Sequence, residues 1–306
     1  LSKLPGAVLF TGSRMVVWWL VLVYAMFGAA WLLSRRRKVR YWIPAACSVL
    51  ALCAVLTVNA VQLQRTSTVT ALDVSQGQSI VFSSGRSCAV VDCGGRSTAE
   101  DPGDLAARKL LAQGHRSLDL LVLTHPHDDH VNGVLRLMHW LPVRTLVIPA
   151  AADITQAPLS DILALAEANH TTVVRVDAQQ TIAAGGISVH LYPEPCAGQE
   201  DGSMIVLASI GDYDTLVPGD VDTTAEVKFL SSCIYPDIEL LFVGHHGSKR
   251  STSDAWLDAI APDAAIISVG YNSYGHPTSD TLERLQAHHI PIYRTDQMGD
   301  ITVHLS

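Results

Sequence analysis

The segment that most constrains this chain is Leu-Thr-His-Pro-His-Asp-Asp-His, residues 123 to 130. It closes the apolar run Leu118 to Leu123 and packs four metal-ligating side chains into six positions. The spacing is His125-x-His127-x-Asp129-His130. Two histidines two residues apart on an extended segment point to the same side. Asp129 and His130 then fall where the chain turns, and Val131-Asn132-Gly133-Val134-Leu135 reads as the start of a helix. A lone His-x-His pair is common in loops, but the complete spacing directly behind a buried strand is not. Ligands held in two groups a few ångströms apart suit a pair of divalent metals.

Composition adds a second constraint. Of the 306 residues 48% are hydrophobic and only 16% charged, too apolar for an ordinary soluble domain. The excess sits in two uncharged runs, Met15 to Leu33 with 19 residues and Tyr41 to Leu63 with 23. Each meets the roughly 20 residues a helix needs to cross a bilayer. Trp18, Trp19, Trp31, Tyr41 and Trp42 supply aromatics suited to the interfaces. Their close succession favours two membrane spans over a signal peptide, and 23 uncharged residues are long for a buried core helix. Between them Ser34-Arg35-Arg36-Arg37-Lys38-Val39-Arg40 carries five basic residues and no acidic one, so this loop is expected inside and everything after Gln64 outside. Residues 1–66, with spans at about 15–33 and 41–63, read as the tail of a larger membrane region, and residues 67–306 as a separate domain that carries the histidine segment.

Charge separates the two parts. Residues 1–66 hold eight of the 21 Lys and Arg and none of the 29 Asp and Glu, which leaves residues 67–306 with 13 basic against 29 acidic residues, a net of −16 with His neutral. That balance argues against strong non-specific binding to a polyanion. The six cysteines form no Cys-x-x-Cys, which argues against a structural zinc knuckle, and Cys88 and Cys93 point to opposite faces of one strand. A Cys196–Cys233 disulfide suits an external compartment but cannot be deduced.

After residue 66 the predicted strands are 68–73, 79–82, 88–91, 118–123, 145–148, 172–176, 187–192, 204–210, 215–217, 238–243, 264–269 and 292–294. Helices are predicted at 104–113, 134–140, 159–168, 253–261 and 279–289. Strands first and β-α alternation later give an α/β protein with two packed sheets and helices outside.

Further segments occur in a fixed order: Leu72-Asp73-Val74-Ser75-Gln76-Gly77-Gln78, Val91-Asp92-Cys93-Gly94-Gly95, Pro218-Gly219-Asp220, Gly244-His245-His246-Gly247-Ser248 and Tyr274-Gly275-His276-Pro277. With the histidine segment they resemble the metallo-β-lactamase superfamily of binuclear hydrolases. More narrowly they are similar to the C-terminal hydrolase domain of the ComEC family of DNA-internalisation competence proteins, over roughly residues 67–306. Ser75 stands where that family's Asp-Val-Gly-Gln-Gly turn carries glycine.

The resemblance implies a four-layer αβ/βα sandwich holding two divalent ions, zinc or manganese, on His125, His127, Asp129 and His130. Asp220 would bridge them, a role open to a carboxylate because each oxygen can take one cation; the competing role is a helix cap before Thr223. His245 or His246 would complete a metal sphere, and the sequence leaves open which. His276 would be a ligand or protonate the leaving oxygen, and Asp129 would stand at the reacting centre. Asp92 and Asp73 would orient the histidine loop. Binuclear relatives add a ligand before the bridging aspartate, here Asp201 or Ser203. Ser248, Lys249 and Arg250 are candidates for holding phosphate, with a solvated surface group as the alternative. His115, His139, His170, His190, His288, His289 and His304 read as surface or packing residues.

The implied activity is metal-dependent hydrolysis of DNA at the outer membrane face, with single-stranded DNA as substrate and other uptake proteins as partners. Two other readings remain: a hydrolase of another extracellular phosphodiester such as a choline-bearing wall polymer, and a non-catalytic domain that guides DNA into a membrane channel.

Overall fold

The computed structural model describes residues 14–35, 40–63, 65–96, 100–193 and 202–305. Two helices come first, α1 (Arg14–Ser34) and α2 (Trp42–Leu63). Both are long and apolar enough to cross a membrane, with mean hydropathy of 2.1 and 2.0. Pro44 is tolerated in α2 because it lies in the first turn, where its missing N–H loses no partner. The two helices pack on each other, with the Trp19 indole N–H donating to the Ser48 carbonyl at 2.9 Å. Trp18, Tyr24, Trp31 and Leu50 remain exposed. Most of the basic connector, residues 36–39, lies outside the described residues.

A separate compact unit holds the sheets. Strands β1 (Ser67–Ala71), β2 (Ser79–Ser84) and β3 (Ser87–Cys93) form an antiparallel meander, and β4 (Leu118–Val122), β5 (Val143–Pro149) and β6 (Thr172–Val176) continue it in parallel. The second sheet repeats the plan. β7 (Gln180–Ala184), β8 (Ile187–Pro193), β9 (Met204–Ile210) and β10 (Tyr213–Val217) are antiparallel, and β11 (Leu240–Phe242), β12 (Ala264–Ile267) and β13 (Ile292–Arg294) are parallel. The last strand, β14 (Ile301–Leu305), returns to the first sheet and pairs antiparallel with β1, Val69 opposite Val303. Each sheet thus has seven strands. Elements with no counterpart in the sequence reading include β7, β14, the helix Thr223–Ser232 that follows Asp220, and the short helices Asp128–Val131 and Thr295–Met298.

The sheets meet through alternating side chains, including Val69, Phe82, Val91 and Val122 from the first and Val189, Val206, Val217 and Phe242 from the second. A second apolar layer lies outside the second sheet. There Phe229, Trp256, Leu257 and Leu285 from helices pack on Leu207, Leu216, Leu241 and Ile267. Helices Pro102–Ala112, Val134–Trp140 and Leu159–Ala168 each bury one face, through Leu110, Leu137 and Ile162 among others. The αβ/βα sandwich expected from the sequence is the observed fold.

Two glycine turns position the histidine segment. A Cβ on Gly94 would lie 2.5 Å from backbone atoms of Asp129 and His130, and one on Gly77 would lie 2.6 Å from the Asp129 carbonyl oxygen. The loop therefore rests directly on bare backbone. Gly94→Ala should lower the unfolding free energy by about 1–3 kcal/mol, because the clash is with main chain that cannot rotate away. The check is the urea midpoint of the full chain in detergent; an unchanged midpoint would show that the loop does not rest on Gly94.

Candidate metal centre

The histidine segment leaves the end of β4 and is held there by one buried carboxylate. Asp92, fully buried and in the left-handed region at φ 57°, lies between Val91 and Cys93 at the end of β3. It accepts from the Thr124 N–H and hydroxyl, both at 2.7 Å, and from the Gln78 amide at 2.8 Å. Its remaining contact is Nδ1 of His130 at 2.7 Å. With Nδ1 engaged, the Nε2 of His130 is the nitrogen that faces the site.

The opposing wall comes from the second sheet. Asp220 follows β10 through Pro218 and Gly219, the latter at φ 61°. The helix after it is capped by Asp222, whose carboxylate accepts from Thr224 N and Ala225 N, so Asp220 has no capping role. Beyond β11, His245, His246 and Gly247 take three successive positive φ values of 51°, 54° and 85°. Such strain in non-glycine residues persists only where the surroundings enforce it. Here the His245 N–H donates to the Gly219 carbonyl at 3.0 Å, and the Nδ1 of His246 lies 2.8 Å from the Ser268 carbonyl oxygen. That carbonyl can only accept, so Nδ1 carries the hydrogen and the Nε2 of His246 is left as a lone-pair donor.

The two halves meet at Asp220. Its Oδ2 lies 3.6 Å from Nε2 of both His125 and His245. Its Oδ1 lies 3.3 Å from Nε2 of His130 and 4.0 Å from Nε2 of His246. Asp129 stands 3.7 Å from Nε2 of His246. Two candidate ligand groups result, His125–His130–Asp220 and Asp129–His130–His246. Among the described residues, the Nε2 atoms of His125, His130 and His246 are buried without a hydrogen-bond partner. Burying three such nitrogens costs free energy unless something pairs with them, and divalent cations fit that donor set.

Electrostatics point the same way. Burial, followed by the neighbouring His130, holds the His125 pKa well below the ordinary histidine range. Burial also disfavours charge on His130, but Asp220 and Asp92 outweigh it and raise its pKa well above that range. Burial works against ionised Asp220 too, yet His130, then His246 and His125, keep its pKa well below the usual carboxylate range. A positive charge is thus favoured beside Asp220, where a metal would displace the His130 proton.

The cleft above this centre has a volume of about 450 Å3 and is lined by Gln76, Arg96, His127, Asp128, Asp129, Ala157, Pro158, Asp220, His245, His246, Tyr274 and His276, among others. His127 stands exposed at its mouth, its ring 4.6 Å from that of His125. His276 is half-buried, its ring 5.5 Å from that of His245. Asp73 stays outside the cleft and accepts from Ser75 N at 3.2 Å, so it shapes the Ser75–Gly77 turn. Ser75 takes φ 62° there, a conformation glycine adopts more easily.

Neither Ser248 nor Lys249 lines the cleft. The Gly247 turn carries the chain away beneath the helix Ser279–Ala287. There the Ser248 and Lys249 carbonyls accept from Thr281 and Arg284, and the Ser248 side chain is buried. Arg250 is carried away with them. Ser203 is buried outside the cleft, and Asp201 and Cys196 lie outside the described residues. Beside His125 the position facing Asp220 Oδ2 is taken by His245. Gln76, Arg96 and Tyr274 line the cleft without having been singled out as site residues. Gln76 and Tyr274 stand within the quoted motifs, but nothing in the spacing tells a lining residue from a turn residue, and Arg96 follows Gly95 with no pattern of its own.

The sequence profile of the metallo-beta-lactamase superfamily matches residues 72–271. ComE operon protein 3 of Bacillus subtilis is 29% identical over 251 residues, 75% of this chain and 32% of that protein. Competence protein ComA of Neisseria gonorrhoeae is 29% identical over 238 residues, 76% of this chain and 31% of that one. The chain spans about a third of the length of these relatives. Among solved structures, CmlA, a diiron beta-hydroxylase from Streptomyces venezuelae, superposes with a TM-score of 0.54 at 17% identity, over 78% of this chain and 54% of its own. With this fold, these motifs and these competence-protein relatives, the chain belongs to the metallo-β-lactamase superfamily of metal-dependent hydrolases.

Proposed function

We propose that this chain is a phosphodiesterase that cleaves DNA outside the cytoplasmic membrane during uptake. It holds two divalent cations, zinc or manganese, on His125, His127, Asp129, His130, Asp220, His245 and His246. The observation that carries this reading is Asp220, which turns one oxygen toward His125 and His245 and the other toward His130 and His246. A carboxylate so divided can serve two cations at once. The competence proteins among the relatives support DNA uptake as the setting.

When bound, the cations supply Lewis acidity at the phosphoryl group and a more acidic water. The chain supplies the rest. Asp92 and the Ser268 carbonyl lock His130 and His246 with Nε2 toward Asp220. The Nδ1 of His276 has no hydrogen-bond partner among the described residues. Burial, then the nearby His245 and His246, depress its pKa, so near pH 7 it is neutral; it can take the proton that the attacking water loses and hand it to the departing oxygen. A second reading, hydrolysis of a choline-bearing wall polymer, draws on the 13 basic against 29 acidic residues of 67–306, which oppose polyanion binding.

The full chain in detergent, loaded with manganese or zinc, should hydrolyse single-stranded DNA and contain about two metals per chain by elemental analysis. Chelator should abolish turnover, and His127→Ala or Asp220→Ala should cut it by at least about a hundredfold while the chain still folds, as judged by circular dichroism. Near wild-type turnover in either variant, or metal content near zero, would overturn the assignment.

The orientation follows from Arg35, Arg36, Arg37, Lys38 and Arg40. Moving each across the membrane potential costs about 2.3 kcal/mol per 100 mV, which holds this loop inside and places residues 67–306 outside. Reporters active only in the periplasm or only in the cytoplasm, fused after Ser306, should give signal and silence respectively. A cytoplasmic signal would reverse the topology.

A further inference from the structure

We infer that Gln76, Arg96 and Tyr274 form a nucleotide-anchoring subsite on the cleft wall, with Arg96 binding a non-scissile phosphate and Tyr274 stacking on a base. This deepens the phosphodiesterase reading and rests on it. Three observations carry it. Among the described cleft-lining residues Arg96 is the one Lys or Arg, against Asp128, Asp129 and Asp220. No carboxylate among the described residues forms an ion pair with Arg96, while Arg108, Arg136, Arg144 and Arg294 all do so elsewhere. Its guanidinium lies 5.8 Å from the centre of the Tyr274 ring, and Tyr274 is 56% exposed, so the pair offers a cation and an aromatic face side by side.

A fourth observation is Gln76. It lines the same cleft at 1% exposure, its Oε1 has no hydrogen-bond partner, and its carbonyl accepts from Arg96 N at 2.8 Å. A buried unpaired acceptor beside a cation asks for a ligand that carries both a hydrogen-bond donor and a negative charge. A nucleotide has both, in the N–H groups of its base and in its phosphates. A phosphocholine whose phosphate sat at the metal centre would bring to this wall a quaternary ammonium, which has no hydrogen-bond donor for Gln76 and is repelled by Arg96. The ring sequence Tyr274, His276, His245, at centroid spacings of 5.9 and 5.5 Å, leads from this subsite to Asp220. A strand laid along it keeps one nucleotide anchored while a neighbouring phosphate reaches the metal centre.

The test is fluorescence anisotropy on the full metal-loaded chain in detergent. The probes are a labelled oligothymidylate, the same strand made abasic, and p-nitrophenyl phosphocholine as competitor. Arg96→Ala should weaken both strands by about tenfold and reduce the salt slope by about one. Tyr274→Ala should weaken the oligothymidylate by about tenfold while affecting the abasic strand much less, and Tyr274→Phe should restore binding. Arg96→Lys, keeping charge but not the planar group, should fall between. Melting curves exclude misfolding, and the conservative variants carry the test if an alanine variant does not fold. Unchanged affinity in Arg96→Ala, equal losses on both strands in Tyr274→Ala, or competition by phosphocholine at concentrations comparable to the oligonucleotide would overturn the subsite. Strand binding that depends on Arg96 and Tyr274 without any cleavage would retain the subsite and refute the hydrolytic reading; cleavage indifferent to both would do the reverse.

Discussion

The site depends on one buried carboxylate. Asp92 is removed from water entirely, which would be costly for an isolated charge. It is tolerated because Thr124 meets it twice and Gln78 and His130 once each. Those partners come from the strand end before the histidine segment, the turn that supports it, and the segment itself. One group therefore joins β3, the Ser75–Gly77 turn and the short helix Asp128–Val131. Replacing it by an apolar residue would leave the Thr124 N–H, Thr124 hydroxyl and Gln78 amide buried without an acceptor. The same contact fixes which nitrogen of His130 faces Asp220, so fold and chemistry share a single constraint.

Backbone strain marks the same region. Ser75, Asp92, His245 and His246, four of the eight described non-glycine residues at positive φ, lie around the site, Asp92 at the end of β3 and the other three in loops. Close approach accompanies the strain, since Gly77, Gly94 and Gly270 touch neighbouring backbone with no room for a side chain. On the second sheet Glu226, buried on its helix, plays a part analogous to that of Asp92. It accepts from Thr252 N and from the backbone and hydroxyl of Ser253, and Gly244 N in turn donates to the Thr252 hydroxyl at 3.2 Å. Burial raises the Glu226 pKa even though these donors oppose it. Each half of the sandwich thus carries one buried acid that anchors the loop bearing its histidines.

Much of this was legible in the residues. The β4 run, the His-x-His-x-Asp-His spacing and the order of later motifs pointed to a two-sheet α/β sandwich, and the long strands alternate clearly enough to be placed. What escaped had little periodicity to offer. β7 reads Gln-Thr-Ile-Ala-Ala and exists because β8 pairs with it. β14 is only Ile-Thr-Val-His-Leu and is defined by a partner more than two hundred residues away. The site divided in the same way. Ligand types announce themselves by chemistry, and the histidine spacing and strand-end positions were readable. Ser248 and Lys249 read as phosphate binders because they follow a histidine pair, but the three positive-φ residues before them turn the chain and neither lines the cleft. Arg96 belongs to no pattern and acquires meaning only from the Tyr274 ring, which is distant in sequence and close in space.

The acidic balance of residues 67–306 is reconciled with an anionic substrate by separating local from total charge. At physiological ionic strength charges are screened over about 8 Å, so most of the 29 carboxylates are not felt inside a cleft. There Asp128, Asp129 and Asp220 face Arg96 and the histidines. Without cations such a cleft repels phosphate. With two divalent ions on the Asp220 groups the local sign reverses, because four positive charges then exceed three carboxylates even before Arg96 is counted. The acidic exterior still suppresses adventitious binding along the rest of the surface. A polyanion is therefore attracted at one point rather than along a face. Under the proposed phosphodiesterase reading, that suits taking one strand end or one exposed segment at a time better than coating DNA, and it would make substrate binding as well as cleavage conditional on the metal.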